Sequence, residues 1–496
     1  MSTVSSVARK RVVVIGAGFG GLAMGSALRR AGVEDFVIVD KGEEVGGVWR
    51  DNTYPGCSCD IPSHLYSLSA RPYRSARTRY PQQDEILGYL RDFVVAEGLR
   101  PHLRLGVAAR EARYDESGTW TLTFGDGVEL HADAVIFAVG QLHRPHLPDI
   151  PGREVFTGAS FHSARWDHSA SLRGRAVAVV GTGSSGSQLI PHVAAVAERV
   201  AVYQRTPHWV LPKPRADFGP VSSRALAIPG MHALYRKALY YGADLTLTPL
   251  LRAGLPADLA ETVARVHLRR QVPDPGLRMA LTPGYPIGAK RILFDSSIFH
   301  ALQQENVELV TDPIRQITAD GIEAADGRHR HHEVIVFATG FRASEFLAPI
   351  TVHGRGGALL GERWTDGAEA FLGLAVPQFP NMFLIAGPNT FLSTGSNPGM
   401  KERQIRYIMK CLRWQDESGL PAIEVNPAAA ARYRQWLHRE LASTVLGAEV
   451  PSWYKDATGA ITNPWPASAR KFARMTTAHP VESFHAVEVS AHGAVC

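Results

Sequence analysis

The run Arg11-Val-Val-Val-Ile15 is an unbroken β-branched segment, after which apolar positions fall at helical spacing from Leu22 to Ala31. This predicts strand, glycine turn and helix, with a second strand at Phe36 to Asp40. The same alternation returns at Ala176-Val-Ala-Val-Val180, followed by glycines, a helix through about Ala197 and a strand at Arg199 to Gln204. The two units lie a domain's length apart, so they are not copies of a short repeat. Between them, Ala134 to Gly140 reads as a buried strand, and the proline-rich stretch Pro145 to Pro151 as a hinge. A near-twin strand at Val334 to Gly340 carries the chain back into the first unit. Leu, Tyr and Ala at helical spacings from about Ser222 to Arg278 predict a helical subdomain. The expected fold is therefore α/β, with two Rossmann-like dinucleotide-binding domains, the second inserted into the first. The first is expected at 1–145 and 341–496, the second at 146–340 with a helical insert at about 216–285.

In Gly16-Ala-Gly18-Phe-Gly-Gly21 the first glycine permits a tight turn, the second lets backbone approach a pyrophosphate, and the third allows close helix packing. Asp40 stands about twenty residues further on, at the end of a strand, where a carboxylate accepts hydrogen bonds from ribose hydroxyls. The second unit has Gly181-Thr182-Gly183-Ser184-Ser185-Gly186, and at the matching offset the acid is replaced by Arg205, flanked by Gln204 and Thr206. A solvated strand-end cation is one reading of Arg205. The missing carboxylate favours the other, a grip on a 2′-phosphate, and hence NADPH over NADH. If the second unit holds NADPH, the first must hold something able to receive its hydride, and FAD is the economical candidate.

Composition narrows the classes further. Across 496 residues, 45% are apolar and 20% charged, which excludes a disordered or fibrous chain. The net charge of +6 comes without any dense basic block, so anionic small ligands suit it better than nucleic acid. Four cysteines, Cys57, Cys59, Cys411 and Cys496, form neither a disulfide framework nor a zinc spacing, and no metal is expected. Cys57-Ser-Cys59 also has the wrong spacing for the redox pair of a disulfide reductase. The polar, basic opening Met1 to Arg11 lacks a signal-peptide core, and the apolar stretch Ala238 to Leu255 is broken by Asp244, Pro249 and Arg252. A cytoplasmic chain with no stable membrane insertion is expected, as a monomer or weak homo-oligomer.

One further run carries a specific likeness. Phe156-x-Gly158-x-x-x-His162-x-x-x-Trp166-Asp167, just before the second glycine motif, resembles the fingerprint of the type I Baeyer-Villiger monooxygenases, which are class B flavoprotein monooxygenases. The resemblance implies that this segment, with His162, couples domain movement to catalysis. Gly46-Gly47-Val-Trp49, Tyr54-Pro-Gly56 and Cys59-Asp60-Ile-Pro-Ser63 are similar to the family segment that wraps the flavin. Lys41, Gly47, Trp49, Asp60, Tyr66 and Gln141 are accordingly expected around FAD. Tyr285-Pro-Ile-Gly-Ala-Lys290-Arg291 resembles the family's Lys-Arg pair. It implies that Lys290 joins Arg205 and Thr206 at the 2′-phosphate. Arg291, held by Asp60, would then keep a flavin C4a-peroxide anionic and stabilise the oxyanion formed when it attacks a ketone. Without the resemblance, Asp60 is a turn or cap carboxylate and the Lys-Arg pair is surface charge. Trp453 is assigned to supporting the bound NADP⁺, with a packing role equally open.

The reading that follows is an NADPH- and O2-dependent oxygen insertion next to a ketone carbonyl. Gly387-Pro-Asn389-Thr390 departs toward flavin monooxygenases that oxidise nitrogen and sulfur, which is the alternative, and a non-catalytic nucleotide sensor is a third. The apolar helical insert suggests a bulky substrate, and the pocket from about Phe391 to Met400 is not transferable from any relative.

Overall fold

The structure, a computed structural model, describes residues 10–73, 78–214, 217–393 and 395–489; Cys496 and most of the basic opening segment lie outside them. Ten strands form two parallel sheets: β1 (Val12–Ile15), β2 (Phe36–Val39), β3 (Leu103–Arg104), β4 (Ala134–Phe137), β5 (Ala159–His162), β6 (Ala176–Val180), β7 (Arg199–Tyr203), β8 (Val307–Val310), β9 (Val334–Phe337) and β10 (Met382–Leu384). The first sheet has the order β10-β4-β1-β2-β3 and the second β8-β7-β6-β9-β5. Every residue of β1, β4, β6 and β9 is buried, because these central strands are covered on both faces. That is why they read as continuous apolar runs and not as alternating ones.

Strand β10 completes the first sheet from beyond the second, pairing with β4 in the register Met382↔Val135. The second sheet is thus inserted within the chain that builds the first. Strand β5 was not expected from its sequence pattern: it is an edge strand, paired to β9 from Ala159↔Val334 to His162↔Phe337. The fingerprint histidine therefore ends a strand of the second sheet.

Helix α1 (Phe19–Arg30) follows β1, and α2 (Ser184–Ala194) follows β6. Between β7 and β8 lie α3 (Pro220–Ala227), α4 (Met231–Thr246), α5 (Leu255–Gln271) and α6 (Pro275–Ala280), the expected helical insert. It is fastened to the first unit by Arg236, which donates to the His64 carbonyl at 2.8 Å and the Ser67 hydroxyl at 2.7 Å. On its other side the buried Asp244 accepts from the Ala469 amide and the Arg470 guanidinium, both at 2.7 Å. Helix α7 (Asn397–Glu417) packs along α1, its start fixed by Ser396, whose hydroxyl accepts from the Gly399 amide at 3.0 Å. Among the described residues no helix is long and apolar enough to cross a membrane.

Candidate active site

Each parallel sheet presents one glycine turn running into a helix. Gly16 has φ +109, and a Cβ there would sit 2.6 Å from the Ala138 carbonyl oxygen; a Cβ on Gly21 would sit 1.7 Å from the Gly16 oxygen. Only glycine lets α1 close onto β1 in this way. The second unit repeats the device at Gly181, φ +108, and at Gly186, whose Cβ would lie 2.3 Å from the Gly181 oxygen. Gly18 and Gly183 are the N-cap residues, with no side-chain cap and no acid in the first turn. Both helix N-termini thus keep bare N–H groups and an uncompensated positive dipole end, the arrangement that receives a phosphate. Thr182 stands in the second turn, its hydroxyl 3.4 Å from Gln204 Oε1, and Ser184 and Ser185 open α2.

A cavity of about 360 Å³ runs past the first turn and is lined there by Gly16, Gly18 and Gly47. Its wall also takes in Asp40, Lys41, Gln141 and His143, and Tyr66, Thr390, Phe391, Lys401 and Gln404. Asp40 Oδ2 accepts from the Ala17 amide at 2.7 Å, while Oδ1 accepts from the Gly42 amide and from Arg50, each at 2.8 Å. A carboxylate offers about four lone-pair sites, so this leaves room for one ribose hydroxyl on Oδ2, not two. Gln141 is held by the carbonyls of Ala386 and Gly387 at 3.2 and 3.3 Å. Trp49 does not line the cavity; its indole donates to the Tyr66 hydroxyl at 3.2 Å and holds that ring, which does. A backbone cradle closed to any Cβ, a bare helix N-terminus, a strand-end carboxylate and the Tyr66 and Phe391 rings in the wall fit a dinucleotide carrying a flat ring.

Arg291 and Asp60, widely separated in sequence, meet at 2.5 Å between Nη2 and Oδ2. Asp60 caps no turn: among the described residues its partner is Arg291. Burial works against the guanidinium's charge, but Asp60 outweighs it and the pKa moves further up. Neither residue belongs to the cavity wall. Arg291 lies 5.5 Å from the centre of the Phe391 ring, which does, so one ring separates the cation from the cavity. Trp453 and Tyr454 complete this aromatic edge, the Trp453 and Phe391 rings meeting edge to face at 4.8 Å.

Arg205 and Lys290 come together at the end of β7. Burial, and then Arg205, push the Lys290 ammonium down to about 8. The ammonium also lies 5.7 Å over the Tyr285 ring. Neither cation has a carboxylate partner among the described residues, so the pair holds a standing repulsion that an anion would cancel. Thr206 follows Arg205 in the chain. His162 stands apart: it is 3% exposed, accepts from the Ala164 amide at 3.0 Å and packs edge to face on Phe341 at 5.7 Å. Burial lowers its pKa to about 4. It does not line the cavity, so its position is that of a neutral ring at the crossing back to the first unit, not of an acid or base at a substrate.

Of the insert's apolar positions, Leu255 is 70% and Met279 78% exposed, and no insert residue lines this cavity. Asn389 in the departing Gly-Pro-Asn-Thr turn is a tie to the C-terminal segment, donating to the Ile461 carbonyl at 2.8 Å. The expected pocket segment Phe391 to Met400 contributes Phe391, Asn397 and Met400 to the cavity wall, and what the sequence reading missed lies just beyond it on α7, at Lys401 and Gln404. The Ser396-Asn-Pro start, with its cap and early proline, was the available signal.

Residues 13–226 match the pyridine nucleotide-disulphide oxidoreductase family, a span that takes in both glycine turns. In this chain Cys57 and Cys59 are free and buried, and burial pushes the Cys57 thiol up to about 11. A Baeyer-Villiger monooxygenase of Streptomyces coelicolor is 38% identical over 94% of this chain and 90% of its own. A structure titled as a complex of OTEMO with FAD and NADP superposes with a TM-score of 0.87 at 25% identity, covering 97% of this chain and 100% of that one. A cyclohexanone monooxygenase bound to epsilon-caprolactone gives 0.84 at 28% identity, covering 96% and 99%. With full-length identity at this level and two nucleotide sites built for different dinucleotides, the chain belongs to the Baeyer-Villiger monooxygenase family, whose enzymes use FAD and NADPH.

Proposed function

We propose that this enzyme inserts one oxygen atom next to the carbonyl of a ketone, giving an ester or lactone, at the expense of NADPH and O2. The observation that carries the reading is the guanidinium of Arg291, fixed by Asp60 against the Phe391 ring that lines the cavity. FAD, when bound, supplies the hydride acceptor and the oxygen-activating ring. Residues 1–145 and 341–496 would hold it, and residues 146–340 would hold NADPH. Arg291 favours anionic over protonated oxygen within its reach and stabilises the oxyanion produced at an attacked carbonyl. Asp60 keeps the guanidinium from turning away. Phe391, Trp453 and Tyr454 narrow the approach of water. Oxygenation of an amine or sulfide needs no such cation, because the neutral nucleophile attacks a protonated oxidant.

The test is NADPH consumption and product mass against cyclic, aromatic, linear and polycyclic ketones, beside a sulfide and amine panel. Products heavier than the ketone by one oxygen are expected. Turnover of sulfides or amines with every ketone left intact would overturn the proposal. A second expectation concerns pH. Lys290 is cationic below about 8 and neutral above it. Its attraction for a 2′-phosphate is therefore present at low pH and fades as pH rises through that value. The KM for NADPH is expected to climb several-fold between pH 7 and 9, whereas that for NADH, lacking the phosphate, stays flat. Equal profiles for both would remove Lys290 from the phosphate site.

A further inference from the structure

Four residues of α7, Asn397, Met400, Lys401 and Gln404, share one helix face and line the cavity. That face is rigidly held. Gln404 Oε1 accepts from the Ala386 amide at 2.9 Å, and its Nε2 donates to the Gly373 carbonyl at 3.0 Å. Its neighbour Glu402 is turned the other way, accepting from the Ser69 amide at 2.5 Å and hydroxyl at 2.7 Å. Lys401 itself has no hydrogen bond or ion pair among the described residues.

An unpaired ammonium in protein surroundings is costly, and burial alone pushes this one down to about 8. Among the described residues nothing repays that cost, so the group is placed for something that enters the cavity. The diphosphate position is already served by the bare N-terminus of α1, and the ribose by Asp40. Lys401 shares the cavity wall with the Tyr66 and Phe391 rings, which suit a flat ring, a placement that rests on the site reading given above. The oxidised ring is neutral. Hydride transfer breaks a C–H bond of NADPH, forms one to the ring's N5 and leaves NADP⁺. It leaves the two electrons and one negative charge on the ring, at its N1–C2 edge, with no further proton required.

We propose that Lys401 is a cofactor-facing residue whose ammonium pairs with the negative charge that reduction places on the pyrimidine edge of the flavin, and so sets the potential of bound FAD. It stabilises the reduced ring over the oxidised one. Oxidised FAD, carrying no ring charge, gains little from it.

The experiment is a spectroelectrochemical titration of the FAD-loaded enzyme and of its Lys401→Met and Lys401→Arg variants, with the dissociation constant for oxidised FAD measured on each. Lys401→Met is expected to weaken the preference for reduced flavin about tenfold, a midpoint about 30 mV more negative for a two-electron couple. Lys401→Arg is expected to restore it, and oxidised FAD to bind all three within about threefold. A potential unmoved in Lys401→Met overturns the proposal. So does a tenfold loss of oxidised FAD with the potential unchanged, which would assign the ammonium to the diphosphate. Failure of the unaltered protein to bind FAD would instead sink the site reading. Thermal unfolding of the apoprotein separates a folding defect: removing an unpaired buried charge should leave it as stable or raise it. If Lys401→Met does not fold, Lys401→Gln gives the same measurement.

Discussion

Arg291→Ala is expected to lower kcat for ketone oxygenation by about 10²–10³-fold, the loss typical of deleting one preorganised group that stabilises a developing oxyanion. The argument rests on placement. The guanidinium is held at 2.5 Å by Asp60 and lies 5.5 Å from the Phe391 ring that walls the cavity, so its charge is fixed before any substrate arrives. Alanine also leaves the partly buried Asp60 carboxylate without its partner, which lowers stability. Activity must therefore be measured on protein shown to be folded and yellow. Two companions isolate the charge. Arg291→Lys keeps a cation without the planar fork and should retain more activity than alanine. Asp60→Asn keeps the guanidinium but loosens its anchor, and a loss of about tenfold is expected from misplacement alone. The measurement is steady-state kcat for ester or lactone formation beside the absorbance of bound flavin. Full ketone oxygenation by Arg291→Ala would remove the guanidinium from the chemistry.

Both parallel sheets were legible in the sequence because central strands buried on two faces must be unbroken β-branched runs, as Val12–Ile15 and Ala176–Val180 are. The glycine turns were legible for a related reason, since a Cβ at Gly21 or Gly186 would strike the backbone. Strand Ala159–His162 was not. At a sheet edge only half its residues are buried, and Phe161 and His162 read as parts of a linker motif. The meeting of Asp60 with Arg291 was also beyond any periodicity. It joins two loops across the fold, and only the family likeness suggested it. Trp49 illustrates how a correct segment conceals the wrong contact, for the indole reaches the cavity through Tyr66. Lys401 and Gln404, beyond the expected pocket segment, were invisible because each is individually ordinary, and Lys401 at a helical position reads as solvent charge until its surroundings are known.

The second large effect is expected at the other nucleotide site. The double variant Arg205→Ala, Lys290→Ala should raise the KM for NADPH by about 100-fold or more, since each charge-assisted hydrogen bond to a phosphate contributes about 1.5–3 kcal/mol. The kcat at saturating NADPH should change little, because the 2′-phosphate is bound equally in ground and transition states. NADH, which offers no phosphate, should bind as before or better, so the coenzyme preference collapses toward parity. The structure gives this prediction an unusual companion on stability. Arg205 depresses the Lys290 pKa, and neither has a carboxylate partner among the described residues. The apoprotein holds two like charges together without relief, and neutralising them should leave its unfolding temperature unchanged or raise it. The two single variants should not add. Without Arg205, Lys290 loses the repulsion that depresses its pKa and grips the phosphate alone, so the Arg205→Ala loss falls below half the double loss in kcal/mol. A double variant that retains its preference for NADPH would place the phosphate elsewhere. One that loses NADPH and NADH together would mean that the pair supports the fold of the second unit and not the recognition of a phosphate.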